Sequence, residues 1–137
     1  MSAPKLRDMR ARDMVKFSRY TVPRFAGVIA ELDGKEIGAA AIVIGIGGRP
    51  FLSMEITDTL RRFPIFMHRT AKRLTDVGVS QLGALYAIEA SIEPTAERWL
   101  QRLGFVLTDE LIGGERVFTH HGTHPSGNRN SRDLPGG

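Results

Sequence analysis

The sequence contains no cysteine. That excludes a disulfide framework, a thiolate zinc site and a cysteine nucleophile. A cysteine-free chain suits the cytoplasm, where we expect it. No window approaches 18 consecutive apolar residues, so no membrane span is expected. The first residues, Met-Ser-Ala-Pro-Lys-Leu-Arg-Asp, lack the apolar core of a secretory leader, and no signal peptide is expected. Aromatic residues are sparse at 7%, with one Trp and two Tyr. No RNP motif, zinc finger or aromatic-interleaved basic run accompanies the net charge of +4. The basic balance, with a pI near 10.0, therefore lacks the residues that read nucleic acid, and nucleic acid is not expected as a partner. An anionic cofactor or simple solubility accounts for it equally well. No internal repeat is present.

What is present suits one globular domain. The chain has 137 residues, 42% hydrophobic and 25% charged, enough for a single core without staples. Residues 122–137 are Gly, Pro, Ser, Asn and Arg with few apolar side chains, a composition that cannot bury a core. The expected organisation is a domain over 1–121 and a flexible polar tail over 122–137, suited to attaching to a partner.

Along the chain, Leu6 and Met9 suit a first strand, and Asp13 suits the cap of a short helix through Val15 and Phe17. Residues 25–32 read as a strand. Asp33-Gly34 is a two-residue hairpin signal, and Glu36 to Ile46 reads as the partner strand. Gly45, Gly47 and Gly48 join two apolar runs with no helix after them, so they read as a turn rather than a phosphate loop. Residues 51–57 form the next strand. Residues 58–65 lead into a helix to about Asp76, with Met67, Ala71 and Leu74 inward, Arg69, Lys72 and Arg73 outward, and Gly78 as its stop. Phe105–Thr108 and Arg116–Thr119 flank Gly113-Gly114 as a final hairpin. His120, His121 and His124 crowd together, but no carboxylate or cysteine stands at ligand spacing and no metal is expected.

The most organised stretch is 84–105. Leu85, Ala87 and Ile88 belong to an apolar strand. Ala96, Trp99, Leu100 and Leu103 then form one stripe at i, i+3, i+4 and i+7. Pro94 suits the first helical position and Gly104 the left-handed residue past the end. Phe105 is placed to fold back on Leu100.

A strand followed by a helix reading Ala-x-x-Trp-Leu-x-x-Leu-Gly-Phe resembles the end of the GNAT fold, that of the acyl-CoA-dependent N-acyltransferases. The order of elements extends the resemblance over roughly residues 5–120; only the 84–105 stretch carries it at motif level. It implies an α+β fold, a central mixed and mainly antiparallel sheet flanked by about three helices. It implies acetyl-CoA as cofactor, laid against the fourth strand at Met54, Glu55 and Ile56. The family's pyrophosphate loop, Arg/Gln-x-x-Gly-x-Gly/Ala, falls on Arg61-Arg62-Phe63-Pro64-Ile65-Phe66. Arg61, Arg62, Phe63 and Ile65 would then face the cofactor.

Several positions depart from the family pattern. Pro64 replaces a glycine and has no N–H to donate. Phe66 replaces a small residue, and its ring is expected to crowd the phosphates. The family's acid, a tyrosine four residues before the Gly of Gly-Phe, is Leu100 here. Glu93 stands where the family often carries asparagine. The segment between the first two strands is very short, which removes much of the acceptor wall. Candidate catalytic groups are Glu55 or Glu89 as base and Tyr86 as acid, with Tyr20 a further tyrosine. The expected reading is a degenerate GNAT-like domain that binds acyl-CoA weakly or not at all and serves as an interaction or structural protein, with a protein partner or a second copy. Small phage- and prophage-encoded GNAT-like proteins, some made as virion or assembly components, are similar in length and in their weak cofactor motifs. The alternative is an active acetyl-CoA-dependent N-acetyltransferase.

Overall fold

The computed structural model describes residues 3–10, 12–13, 24–88 and 96–122. In order, these form β1 (Lys5–Asp8), β2 (Arg24–Leu32), β3 (Lys35–Ile44), a short 3-10 turn at Ile46–Gly48 and β4 (Pro50–Ile56). Then come α1 (Asp58–Arg61), α2 (Pro64–Leu82), β5 (Leu85–Ile88), α3 (Glu97–Arg102), β6 (Val106–Ile112) and β7 (Glu115–His120). The seven strands make one sheet in the order β1-β2-β3-β4-β5-β7-β6. Only β4 and β5 pair in parallel; the other neighbours are antiparallel. This is the mixed sheet with three helices that the sequence leads one to expect. Among the described residues no helix is long and apolar enough to cross a membrane.

The turns follow local chemistry. Asp33 and Gly34 both take positive φ, 52° and 80°, and close the β2–β3 hairpin in two residues. Thr57 opens α1: its hydroxyl accepts the Leu60 N–H at 3.2 Å and donates to the Ile37 carbonyl. β3 is buried from Ile37 to Val43, on both faces, as the middle strand of its arm must be. One face carries α2 and α3 over the main core, built from Ile42, Leu52, Leu85 and Phe118 together with Leu74, Trp99 and Leu100. The opposite face gathers Met9, Ile29, Val43 and Phe51 with Tyr86 and Ile88 packed against them.

α2 buries Ala71, Leu74, Thr75 and Gly78, one stripe at helical spacing. Gly78 is therefore not the helix stop expected from sequence. It lies inside α2, which continues to Leu82 and ends at Gly83, whose N–H returns to the Val79 carbonyl at 2.9 Å. A Cβ on Gly78 would stand 2.6 Å from Ile42 Cδ1 and 3.3 Å from Leu85 Cδ2. The glycine is there because the helix lies so close to β3 and β5, not because the chain turns.

α3 ends as its sequence predicts. The Phe105 N–H reaches the Leu100 carbonyl at 3.0 Å and the Gly104 N–H reaches the Gln101 carbonyl at 3.0 Å, the two bonds of a Schellman ending. Gly104 takes φ 103° and lies against the His120 ring, so a side chain there is excluded twice, by conformation and by contact. Trp99 is buried, and its indole N–H donates to His68 Nδ1 on α2 at 3.1 Å. Pro94 and Glu93 fall outside the described residues, as do Val15, Phe17 and Tyr20.

Near the start of the chain, the residues that Asp13 was expected to cap, 14–17, fall outside the described ones. The Asp13 carboxylate accepts the Arg10 N–H at 2.7 Å and the Arg7 guanidinium at 3.0 and 3.3 Å. Arg7 also donates to Glu31 at 2.9 Å, so one guanidinium ties β1, β2 and Asp13 together. The Arg7 hydrogen bond, helped by the Arg10 N–H, lowers the Asp13 carboxyl from 3.8 to about 2. At the other end, His120 is buried, with Nδ1 accepting the Gly122 N–H at 2.9 Å and its ring edge-on to Phe105. Burial lowers its pKa from the ordinary 6.5.

Three outcomes follow from this packing. Thr75 is fully buried, and its hydroxyl has no hydrogen-bond partner among the described residues. Thr75→Val should raise stability to urea unfolding by about 1 kcal/mol, the scale of an unsatisfied buried hydroxyl; a loss would show that the hydroxyl is satisfied in solution. Asp13 binds its proton less readily folded than unfolded, so its contribution is intact above pH 3.8 and is lost as the pH falls from there through about 2. Asp13→Asn should show a smaller fall in urea midpoint across that window than the parent. His120 also resists protonation when folded, so stability should decline as the pH drops below about 6.5. A pH series on His120→Gln, flatter than the parent near pH 6, checks this.

Candidate functional site

The sheet consists of two arms that meet at one short seam. Among the described residues β4 and β5 pair at Phe51–Tyr86 and Leu52–Ala87. β4 then continues to Ile56, still paired with β3 through Gly38–Ile56, and residues 89–95, which follow β5, fall outside the described ones. Beyond Leu52 no described residue pairs with the β5 side of β4, and this margin is the wedge between the arms. Met54, Glu55 and Ile56 lie along its β4 side. Strand alternation puts Phe51, Ser53 and Glu55 on one face and Leu52, Met54 and Ile56 on the face covered by α2.

The start of α2 follows eight residues after the end of β4. Pro64 occupies its first position and Phe63 caps it with no side-chain hydrogen bond. The first return bond runs from the Met67 N–H to the Phe63 carbonyl at 3.0 Å. The N–H groups of Ile65 and Phe66 belong to the first turn, which has no carbonyl partners within its own helix. They and the helix dipole favour an anion at this end. Ile65 is 70% exposed. The Phe66 ring packs against the cluster of Ala30, Ile37 and Leu60, so its bulk goes into the protein and not, as expected from sequence, across the end of the helix. α1 is inserted just before. Arg61 pairs with Asp58 at 2.6 Å, and Arg62 is exposed at the end of α1.

The acid and base candidates are distributed as follows. Leu100, at the family's acid position, is completely buried in the main core. Glu55 is exposed on the wedge side of β4. Tyr86 lies on the same face of the sheet at the seam. Four residues of β4 separate its partner Phe51 from Glu55, about 13 Å at strand rise. Glu89 falls outside the described residues.

Tyr86 is held in a cluster that sequence reading missed. Its ring is 5.8 Å from that of Phe51, and the Arg49 guanidinium stands 4.9 Å above it. Arg49 is itself gripped by Glu110 of β6 through two hydrogen bonds of 2.8 and 2.7 Å. That bond raises the Arg49 pKa and lowers that of Glu110, so both stay charged. The two residues are 61 positions apart, and nothing in either local sequence announces the pair. Among the described residues no three His, Asp or Glu side chains are grouped to hold a metal ion; His124 falls outside them.

No protein-family profile and no curated protein matches the sequence. Solved structures do match. An acetyltransferase from Agrobacterium tumefaciens superposes with a TM-score of 0.58 at 14% identity, covering 89% of this chain and 95% of its own. A GNAT-family acetyltransferase from Staphylococcus aureus Mu50 gives 0.61 at 9% identity, covering 86% and 98%. A Bacillus anthracis chain assigned as a streptothricin acetyltransferase, solved in complex with acetyl coenzyme A, gives 0.59 at 11% identity, covering 88% and 99%. Together with the parallel seam, the wedge and the strand order, these likenesses establish that the chain carries the GNAT acetyltransferase fold.

Proposed function

We propose that this domain is an interaction or structural module on a GNAT scaffold, with a weakened acyl-CoA site. The observation that carries the reading is the burial of Leu100 in the core, at the position where the GNAT resemblance expects the leaving-group acid. A leucine there cannot protonate a thiolate. Pro64 supports it from the cofactor side, because it removes one donor from the turn of α2 that would cradle the pyrophosphate. The partner in this reading is another protein or a second copy of the chain, a phage virion or assembly complex being one setting for such a module.

A second reading, an acetyl-CoA-dependent N-acetyltransferase, is favoured by the wedge itself. No described residue pairs with the β4 side beyond Leu52, where a pantetheine arm would lie; Glu55 would stand there as a base, and the Phe66 ring packs inward, away from the start of α2. Met54 and Ile56 would line the arm, with Arg61, Arg62, Phe63 and Ile65 nearest the phosphates. Tyr86 would serve as acid only if the thiol reached the seam.

Calorimetric titration with acetyl-CoA and with CoA separates the two. The interaction reading predicts no saturable binding at millimolar cofactor, and measurable binding once Pro64→Gly restores an N–H to the first turn. Micromolar binding by the parent protein would favour the transferase, and Glu55→Gln would then be expected to slow acetyl transfer at least tenfold.

A further inference from the structure

We propose that a second cleft, at the far end of the helical layer, binds a small hydroxylated phosphate monoester of sugar phosphate or nucleoside monophosphate size. The cleft lies between the later turns of α2, the end of α3 and the end of β7, and encloses about 730 Å³. That is the size range of small-molecule sites. Lys72, Asp76 and Ser80 line one wall, Arg102 and the two histidines His120 and His121 the other. Lys72 and Ser80 are eight and sixteen residues past Pro64, about 12 and 24 Å along α2. The cleft is therefore separate from the start of α2, and the proposal does not rest on either reading of the coenzyme site.

Arg102 is the group that offers the cleft to an anion. Each acidic residue of the three helices is already paired: Asp58 with Arg61, Asp76 with Lys72 and Glu97 with Arg116. Among the described residues no ion pair engages Arg102, whose planar fork suits two phosphate oxygens. The Lys72–Asp76 pair is exposed and holds at 3.2 Å, a contact weak enough to share its ammonium with a ligand. The Ser80 hydroxyl adds a donor, while His121 Nε2 is engaged with the Thr119 hydroxyl at 3.3 Å.

The same walls limit which anion fits. The backbone N–H groups of Gly83, Gly104 and Gly122 are spent on Val79, Gln101 and His120, so side chains alone must hold the ligand. Two helix C-terminal ends face the cleft, and their dipoles oppose a high negative charge. A monoester is favoured over a polyphosphate. Asp76 is an acceptor-only carboxylate at the same site; it repels a bare anion and receives hydroxyl donors. A phosphate with hydroxyl groups a few ångströms away satisfies both Arg102 and Asp76. Inorganic phosphate satisfies only Arg102.

The test is titration of the full chain with ribose 5-phosphate, adenosine 5′-monophosphate and inorganic phosphate, followed by calorimetry. Saturable binding of at least one ester, ten times or more tighter than inorganic phosphate, is expected. A clear advantage of the nucleotide over ribose 5-phosphate identifies the base as part of the ligand; equal affinity identifies the sugar phosphate. Arg102→Ser and Lys72→Ser, both at exposed positions and checked by thermal melting, should each weaken binding at least tenfold. Asp76→Asn should remove the preference for the ester over inorganic phosphate. Arg62→Ser, at the start of α2, should leave binding unchanged. Absence of saturable binding by either ester, full binding by Arg102→Ser, or loss in Arg62→Ser would overturn the assignment.

Discussion

The parallel pairing of β4 with β5 is the constraint on which the rest of the molecule depends. Two parallel neighbours cannot be joined by a hairpin, so the chain must leave the end of β4, cross one face and re-enter at the start of β5. α2 makes that crossing in 19 residues. It returns close to the sheet only because Gly78 presents no side chain to Ile42 and Leu85. Among the described residues the seam it creates is two pairs long, and the wedge is the β4 margin beyond it. The candidate coenzyme site is thus a by-product of topology, present before any catalytic residue is considered.

Much of this was legible in the sequence where the signal is local. The Asp33-Gly34 turn, the alternation of strands and the Gly104-Phe105 ending of α3 are each set by residues within a few positions of one another. What failed were glycines and prolonged helices whose reasons are distant. Gly78 has the same local look as a helix stop, and only Ile42 and Leu85, far away in sequence, explain it. The grip of Arg7 and of the Arg10 N–H on the Asp13 carboxylate was equally hidden, since it depends on how the chain enters β1. At the site, the window Arg61–Phe66 could be located by order alone. The inserted α1 and the inward turn of Phe66 were not legible, since both follow from the cluster around Leu60.

The charges divide the molecule by layer. Helical acids are consumed by neighbouring cations, which leaves α2 and α3 each with more basic than acidic residues. On the opposite face the long-range pairs serve a different end. Arg7 and Arg49 each hold a carboxylate from a separate strand, and both fasten the margins of the sheet where hydrogen-bonded ladders run out. A surface ion pair of this kind adds little to global stability. Its value is in fixing which strands remain side by side.

Arg49 reaches from the beginning of β4, across the Tyr86 ring, to Glu110 on the last strand of the other arm. Among the described residues the backbone ladder between the two arms is two pairs long. Mechanically this makes the base of the wedge a pivot and the clamp its pin. A tilt of about 10° between the arms would move the rim of the wedge, about 13 Å from the pivot, by about 2 Å. Leverage of that kind would carry a small repacking around one guanidinium out to the rim of the wedge.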